Sequence, residues 1–315
     1  MQDLAQDFPS SRCLVTGGAG FIGSNLTRAL LAAGCEVTVV DDFSTGKREH
    51  LPVSDRLTVI TGDLGSLPEL PALVARAEYV FHLAAQVGNV RSLAETERDA
   101  ATNVLGSVRL LCACRNTAVR RLVYSSSSAT FGEAQQLPIA EAHPQSPASF
   151  YALSKLTAER YAGLAAELWG VPAVSLRYFN VFGLPMEESE YTGVISIFFN
   201  RLLSGDPLVI YGDGGQFRDF VHVGDIVQAN LLAARHGRPG GVYNIGTGVP
   251  TSIRQLAEAM IEITGRAAEI LARDSRAGEV RESLADISLA QSELGYQPRF
   301  DLRRGLAEMW RSLAA

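Results

Sequence analysis

The chain has 315 residues, of which 47% are hydrophobic and 20% charged, and its 28 Lys plus Arg against 34 Asp plus Glu give a net charge of −6. That length and balance suit one large or two smaller globular domains and exclude disordered, collagenous and low-complexity chains. A net negative charge without a basic run lacks the footprint of a nucleic-acid or anionic-membrane binder, and no stretch reaches membrane-spanning length. The scattered cysteines, Cys13, Cys35, Cys112 and Cys114, suggest neither a disulfide framework nor a metal clip, which predicts a reducing cytoplasm. Only two of the 28 cations are lysines, Lys47 and Lys155, so a place where lysine is chemically preferred to arginine stands out.

Residues 1–11 carry two aspartates and no basic residue, and read as a flexible leader. Cys13 to Thr16 is a short apolar run that ends in glycines, Ile22 to Ala33 has helical spacing, and Val37 to Val40 is a second apolar run. Together they predict a strand-helix-strand unit. Apolar runs follow at Leu57 to Ile60, Tyr79 to Phe81, Leu122 to Tyr124 and Ala173 to Leu176, with helical stretches near Glu95 to Asn116 and Tyr151 to Trp169. The alternation predicts an α/β fold, a Rossmann-like doubly wound parallel sheet. After Arg177 come a glycine-rich turn at Gly212 to Gly215, a helix near Ala257 to Thr264 and a closing helix near Gly305 to Leu313. The expected organisation is a cofactor-binding domain over 12–177, with a returning segment near 219–245, and a smaller C-terminal α/β substrate lobe over 178–315. The ligand cleft is expected between them, at the carboxyl ends of the strands.

Gly17-Gly18-Ala19-Gly20-Phe21-Ile22-Gly23 follows the first strand and opens the first helix. Its glycines suit a tight turn, the close approach of a pyrophosphate and packing of the helix on the sheet. Asp41 ends the second strand, 18 residues past Gly23. A carboxylate there accepts hydrogen bonds from an adenosine ribose and repels a 2′-phosphate, so NAD is predicted over NADP. Lys47 and Arg48 lie near enough to weaken that preference and read equally well as a solvated loop.

Tyr151 and Lys155 are four residues apart on a predicted helix, so both side chains project from one face. A free tyrosine titrates near 10, and bringing it to about 7 takes about 4 kcal/mol. At an effective dielectric of about 20, a cation about 6 Å away contributes almost 3 kcal/mol, so Lys155 and an oxidised nicotinamide together suffice. An ordinary i,i+4 helical pair has the same spacing. The scarcity of lysine favours the chemical reading, because a compact ammonium suits a hydrogen bond to the nicotinamide ribose. Ser127, just past a strand end, is either a polar turn or a hydroxyl that bridges Tyr151 and a substrate hydroxyl.

Gly17 to Gly23, Asp41, Gly62-Asp63-Leu64, His82-Leu-Ala-Ala85, Ser125-Ser-Ser-Ser128, Tyr151-Ala-Leu-Ser-Lys155 and Arg177-Tyr-Phe-Asn180 together resemble the extended short-chain dehydrogenase/reductase family. Arg218-Asp-Phe-Val-His222 and the stretch Arg276 to Ser288 narrow the resemblance to the UDP-sugar 4-epimerases, particularly the branch acting on UDP-N-acetylglucosamine and UDP-N-acetylgalactosamine. The resemblance implies that Tyr151 takes the C4 hydroxyl proton while hydride passes to NAD, that the resulting 4-keto sugar turns over, and that hydride returns to its other face. It implies that NAD lies against Gly17, Gly20, Phe21, Ile22, Gly23, Asp41, Asp42, Phe43, Ser44, Thr45 and Gly46. It adds Asp63, Leu64, Leu83, Ala84, Ala85, Gln86, Asn103, Ser125, Tyr151, Lys155 and Phe179. For the UDP-sugar it implies Ser127 and Tyr151 at the reacting carbon, Asn180, Arg218 and Arg276 on the diphosphate, Glu279 on the uridine ribose and Tyr211 on the uracil. Ser283 stands where related epimerases limit the sugar pocket, and its small side chain leaves room for an N-acetyl group.

The sequence departs from the family pattern at Phe131, usually tyrosine, at Ser196, often proline, and at Glu279, commonly aspartate. The alternatives are a sugar-nucleotide 4,6-dehydratase or decarboxylase, or a non-catalytic NAD-binding redox sensor. Dehydratases of the family carry an Asp-Glu pair after the catalytic hydroxyl residue, where this chain has Ser128 and Ala129, and a sensor would not need Ser127, Tyr151 and Lys155. The helices near 95–116 and 151–169 are expected either to pair in a homodimer, as in relatives, or simply to cover the sheet.

Overall fold

The computed structural model describes residue 8 and residues 10–185, 193–274 and 280–314. The first strands are β1 (Arg12–Thr16), β2 (Glu36–Asp41), β3 (Leu57–Thr61), β4 (Tyr79–His82), β5 (Arg121–Ser127) and β6 (Ala173–Tyr178). Beyond them come β7 (Asn180–Phe182), β8 (Leu208–Tyr211), β9 (Phe217–His222), β10 (Val242–Ile245), β11 (Pro250–Ser252) and β12 (Ile270–Arg273). Seven strands make one sheet in the order β10-β6-β5-β4-β1-β2-β3, every pair parallel. Strands buried on both faces need no polar alternation, which is why they read as apolar runs.

Helix α1 (Phe21–Ala32) covers one face, and α2 (Leu70–Arg76) the other. The chain between β4 and β5 is α3 (Asn89–Ala94), α4 (Thr96–Asp99), a π-helical stretch over Ala100–Gly106, and α5 (Ser107–Cys114). The helix expected near Glu95 to Asn116 runs unbroken over Thr96–Cys114 with a π-helical widening at its centre, and Glu95, at φ −126°, ψ 50°, separates it from α3. Helix α6 (Phe150–Trp169) begins at a Ser149 cap, whose hydroxyl accepts from Ala152 N and donates to Asn89 Oδ1 at 2.9 Å, and ends at left-handed Gly170. This cap fixes the turn that carries Tyr151.

The remaining helices are α7 (Val194–Ser204), α8 (Val223–His236), α9 (Ile253–Thr264) and α10 (Leu302–Leu313). Helix α8 returns to the sheet and packs beside α1, and β10 then extends the sheet next to β6. The other late strands form two small sheets, β11-β9-β7 and β12-β8, over a separate core that includes Phe198, Phe199, Met260 and Leu306. Phe8 lies within the segment expected to be a flexible leader, yet it is buried, with its ring 5.0 Å from that of Tyr79 and its carbonyl accepting from Cys35 Sγ. At this position the leader belongs to the core, because Phe8 caps the apolar ends of β1 and β4.

β1 lies between β2 and β4, so the chain winds outward in both directions from β1, and the loops after β1 and β4 part to leave a crevice. The glycine loop lines it. Gly17 adopts φ +70° and lies so close to Ala84 that a Cβ would stand 2.5 Å from Ala84 N, while a Cβ on Gly23 would meet Gly17 O at 2.0 Å. Neither position admits a side chain. A Gly23→Ala variant is therefore expected to lose about 1–3 kcal/mol of stability in urea unfolding, by overpacking rather than by backbone strain.

Candidate active site

The crevice is a cleft of about 430 Å3 at the carboxyl ends of the strands. Gly17, Gly20, Phe21, Ile22 and Gly23 line it from the first loop, and Asp41, Asp42, Ser44, Thr45, Gly46, Asp63 and Leu64 from the ends of β2 and β3. Leu83, Ala84, Ala85 and Gln86 follow β4, and Ser125, Ser127, Tyr151, Lys155, Phe179 and Asn180 complete the far wall. Phe43 and Asn103 stand behind this lining. Phe43, at φ +56°, donates its N–H to Asp41 Oδ1 at 2.9 Å. Asn103 clamps the Gln86 backbone, accepting from its N–H at 2.8 Å and donating to its carbonyl at 3.0 Å.

Tyr211, Arg218 and Ser283 do not line the cleft; the structure gathers them around β9. Ser283 N donates to Phe217 O at 3.2 Å, Arg218 Nη1 to the carbonyls of Phe217 and Arg281, and Gln216 Nε2 to Tyr211 O at 2.7 Å. Arg276 and Glu279 lie outside the described residues. Sequence reasoning missed Arg91, Arg98 and Thr102, which also line the cleft. Arg98 and Thr102 sit on the stretch read only as helix, and Arg91 just before it, where no motif marked them. Ser196 lines the cleft from α7. The Phe131 ring is wholly buried, 4.8 Å beneath the Arg177 guanidinium and edge-on to His143, so its role is packing.

The residues fit a dinucleotide. Gly20 faces the cleft, where a Cβ would approach nothing nearer than Gly17 O at 3.4 Å, and the N-terminus of α1 points in behind it. The Gln86 Oε1 acceptor is buried without a partner, a position that a ribose or amide donor satisfies. Asp41 accepts from Ala19 N at 2.8 Å and from Phe43 N at 2.9 Å, which aims the carboxylate and leaves it lone pairs for a ribose. Burial pulls its pKa upward against those two bonds. Lys47 pairs with Glu49 at 3.9 Å on the surface and does not line the cleft, which leaves the choice of NAD to Asp41.

At the cleft wall Lys155 is buried and Tyr151 is half-buried. The ammonium sits 4.7 Å over the Tyr124 ring, and burial lowers its pKa to about 8 against the opposing pull of Asp99 and Glu159. Tyr151 is pushed up to about 12 by burial, with the Ser127 hydroxyl, in hydrogen-bond reach, pulling it down and Asp99 pushing it further up. Asp99 and Glu159 act on Lys155, and Asp99 also on Tyr151, so carboxylates offset part of the field that the sequence reading assigned to acidifying the phenol.

His82 ends β4 beneath this pair, with Nδ1 2.7 Å from Thr16 Oγ1 and Nε2 2.8 Å from Ser107 Oγ. The Ser107 hydroxyl gives its hydrogen to Asn103 O at 2.5 Å, so Nε2 carries the ring proton and Nδ1 accepts from Thr16.

Residues 13–246 match the model of the NAD dependent epimerase/dehydratase family. The chain belongs to this family of NAD-dependent enzymes. A UDP-glucose 4-epimerase of Mycolicibacterium smegmatis is 38% identical over 303 residues, covering 94% of this chain and 96% of that protein. Among solved structures, a UDP-N-acetylglucosamine 4-epimerase from Methanobrevibacter ruminantium, in complex with UDP-N-acetylmuramic acid, superposes with a TM-score of 0.93 at 36% identity, covering 97% of this chain and 99% of that one. A dTDP-glucose 4,6-dehydratase from Streptomyces venezuelae, with NAD bound, gives 0.87 at 31% identity, covering 95% and 96%.

Burial lowers the His82 pKa from 6.5 to about 3. The unfolded chain therefore binds a proton that the folded protein refuses between these values, and stability falls as pH drops through that window, by up to about 5 kcal/mol in total. Urea midpoints measured from pH 7 to 4 should show this loss, and a His82→Leu variant should lose this part of the slope.

Proposed function

We propose that the protein is a UDP-sugar 4-epimerase that interconverts UDP-N-acetylglucosamine and UDP-N-acetylgalactosamine, with UDP-glucose and UDP-galactose as a second pair. The observation that carries this reading is the convergence of Ser127, Tyr151 and Lys155 on one cleft. Among the described residues lining that cleft the carboxylates are Asp41, Asp42 and Asp63, all beyond β2 and β3 on the other side of the sheet's switch point. Elimination of water from a sugar needs an acid and a base beside the ring. Ser128 and Ala129, at the head of a buried 3-10 turn, provide neither.

In this reading the Tyr151 oxygen accepts the C4 hydroxyl proton, with Ser127 holding the same hydroxyl in line. When bound, NAD supplies the hydride acceptor and later donor, and in its oxidised form a positive charge beside the phenol. Lys155 hydrogen-bonds the nicotinamide ribose and keeps the phenol oriented. Gln86, Asp41 and the glycine loop hold the dinucleotide, and Asn180 meets the sugar diphosphate at the mouth. Since the same tyrosine both removes and returns the proton, the enzyme ends each turnover as it began. The UDP-N-acetylglucosamine in the name of the Methanobrevibacter relative supports the choice of sugar.

The site reading is tested by NMR of UDP-N-acetylglucosamine and UDP-glucose incubated separately with the protein. C4 inversion of both is expected, faster for the N-acetylated sugar, and a Tyr151→Phe variant should retain NAD yet lose at least about 100-fold in kcat. Formation of a 4-keto-6-deoxy product, or unimpaired turnover by the variant, contradicts it.

We also propose a homodimer built on α3 and α6. Val90, Leu93, Leu153, Tyr161, Leu164 and Leu168 are exposed on these helices, a stripe wider than single scattered residues need. Light scattering should give twice the chain mass, and Leu164→Glu with Leu168→Glu should yield a folded monomer. Among the described residues no helix is long and apolar enough to cross a membrane.

A further inference from the structure

Two buried carboxylates, Asp99 and Glu159, act on the charge of Lys155, and one of them is already matched. Glu159, one turn along α6, takes Arg177 Nη2 on Oε1 at 2.7 Å, Arg177 Nε on Oε2 at 2.9 Å and Ser126 Oγ at 2.7 Å. Its charge is balanced by a guanidinium on β6. Asp99 is the other. It is the last residue of α4, 1% exposed, and stands behind the cleft rather than in its lining. Asn103 Nδ2 donates to its Oδ2 at 2.9 Å and also reaches Ser154 Oγ at 3.0 Å, the residue before Lys155. Its hydrogen-bond donors are thus neutral, and a buried carboxylate held by neutral donors calls for a cation nearby.

We propose that Asp99 is a positioning residue whose carboxylate is the counter-charge that keeps Lys155 an ammonium inside the protein. The inference rests on the reading of Tyr151 and Lys155 as the proton-transfer pair. The other groups facing Lys155 are neutral His82 on β4, the Tyr124 ring on β5, Tyr151, and the Glu159–Arg177 pair, so removal of Asp99 leaves the ammonium without a free anion. Asp99 opposes the desolvation of Lys155 more strongly than Glu159 does, and it also raises the phenol of Tyr151. The widened π turn that starts at Ala100 lets Asn103 reach Asp99, Ser154 and Gln86 together.

The test is the pH profile of kcat/KM for Asp99→Asn. Without the carboxylate both Lys155 and Tyr151 lose protons at lower pH, so both limbs should move toward acid by about one pH unit or more, with loss of activity concentrated on the alkaline side. A uniform loss with unmoved limbs overturns the proposal, as does an unchanged profile. A thermal melting cycle of Asp99→Asn, Lys155→Met and the double variant reads the pairing without turnover. The double variant should melt above Lys155→Met, since it removes both charges; losses that simply add overturn the proposal, even if the single Asp99 variant folds poorly. Retained activity in Tyr151→Phe would instead sink the base assignment and leave this cycle intact.

Discussion

A half-buried phenol and a buried ammonium on adjacent turns of one helix set the terms for the rest of the site. Burial disfavours the charged form of each, and the protein answers with carboxylates rather than with water. Among the buried groups that act on Lys155, its own charge and that of Arg177 stand against Asp99 and Glu159, and His82 is neutral, so that local set sums to zero; Asp41, Asp219 and Asp225 are buried elsewhere. Burial pushes the phenol up to about 12, and Asp99 adds to the rise against the Ser127 hydroxyl. In the proposed mechanism the charge that lowers the phenol comes from a cationic cofactor, so proton transfer at Tyr151 would await an oxidised nicotinamide.

That arrangement depends on the sheet. β1, β4 and β5 end side by side, so the glycine loop, His82 and the serines after Tyr124 reach the same plane, and the Ser149 cap holds the start of α6 against them. The Glu159–Arg177 contact ties α6 to β6 and fixes Lys155 along the helix axis. Because a buried ion pair costs more to break than it contributes when intact, this contact acts chiefly as a register device for α6.

The parts legible in the sequence were those whose signal is local. The glycine loop, Asp41 and the Tyr151–Lys155 spacing each lie within one element or one turn, and the apolar runs of the central strands announce a parallel sheet. Helix α8 was missed because Val223 to Ala234 are all buried and show no polar face, which removes the helical period. The short strands of the second lobe carry three to six residues each, too few for a pattern. Asp99 was invisible for another reason: its meaning comes from α6, more than fifty residues away in sequence, and its own segment resembles any charged helical turn. Asn103, marked as a cofactor contact, hydrogen-bonds Gln86, Asp99 and Ser154, links that its own segment does not announce.

The claim that the phenol is switched by charge is open to direct titration. Tyrosine ionisation followed by ultraviolet difference absorbance, with Tyr151→Phe as the blank, isolates this one group in protein with and without NAD. The account predicts that Tyr151 ionises near about 12 in cofactor-free protein and several pH units lower once NAD is bound. The same ionisation in both states would contradict it.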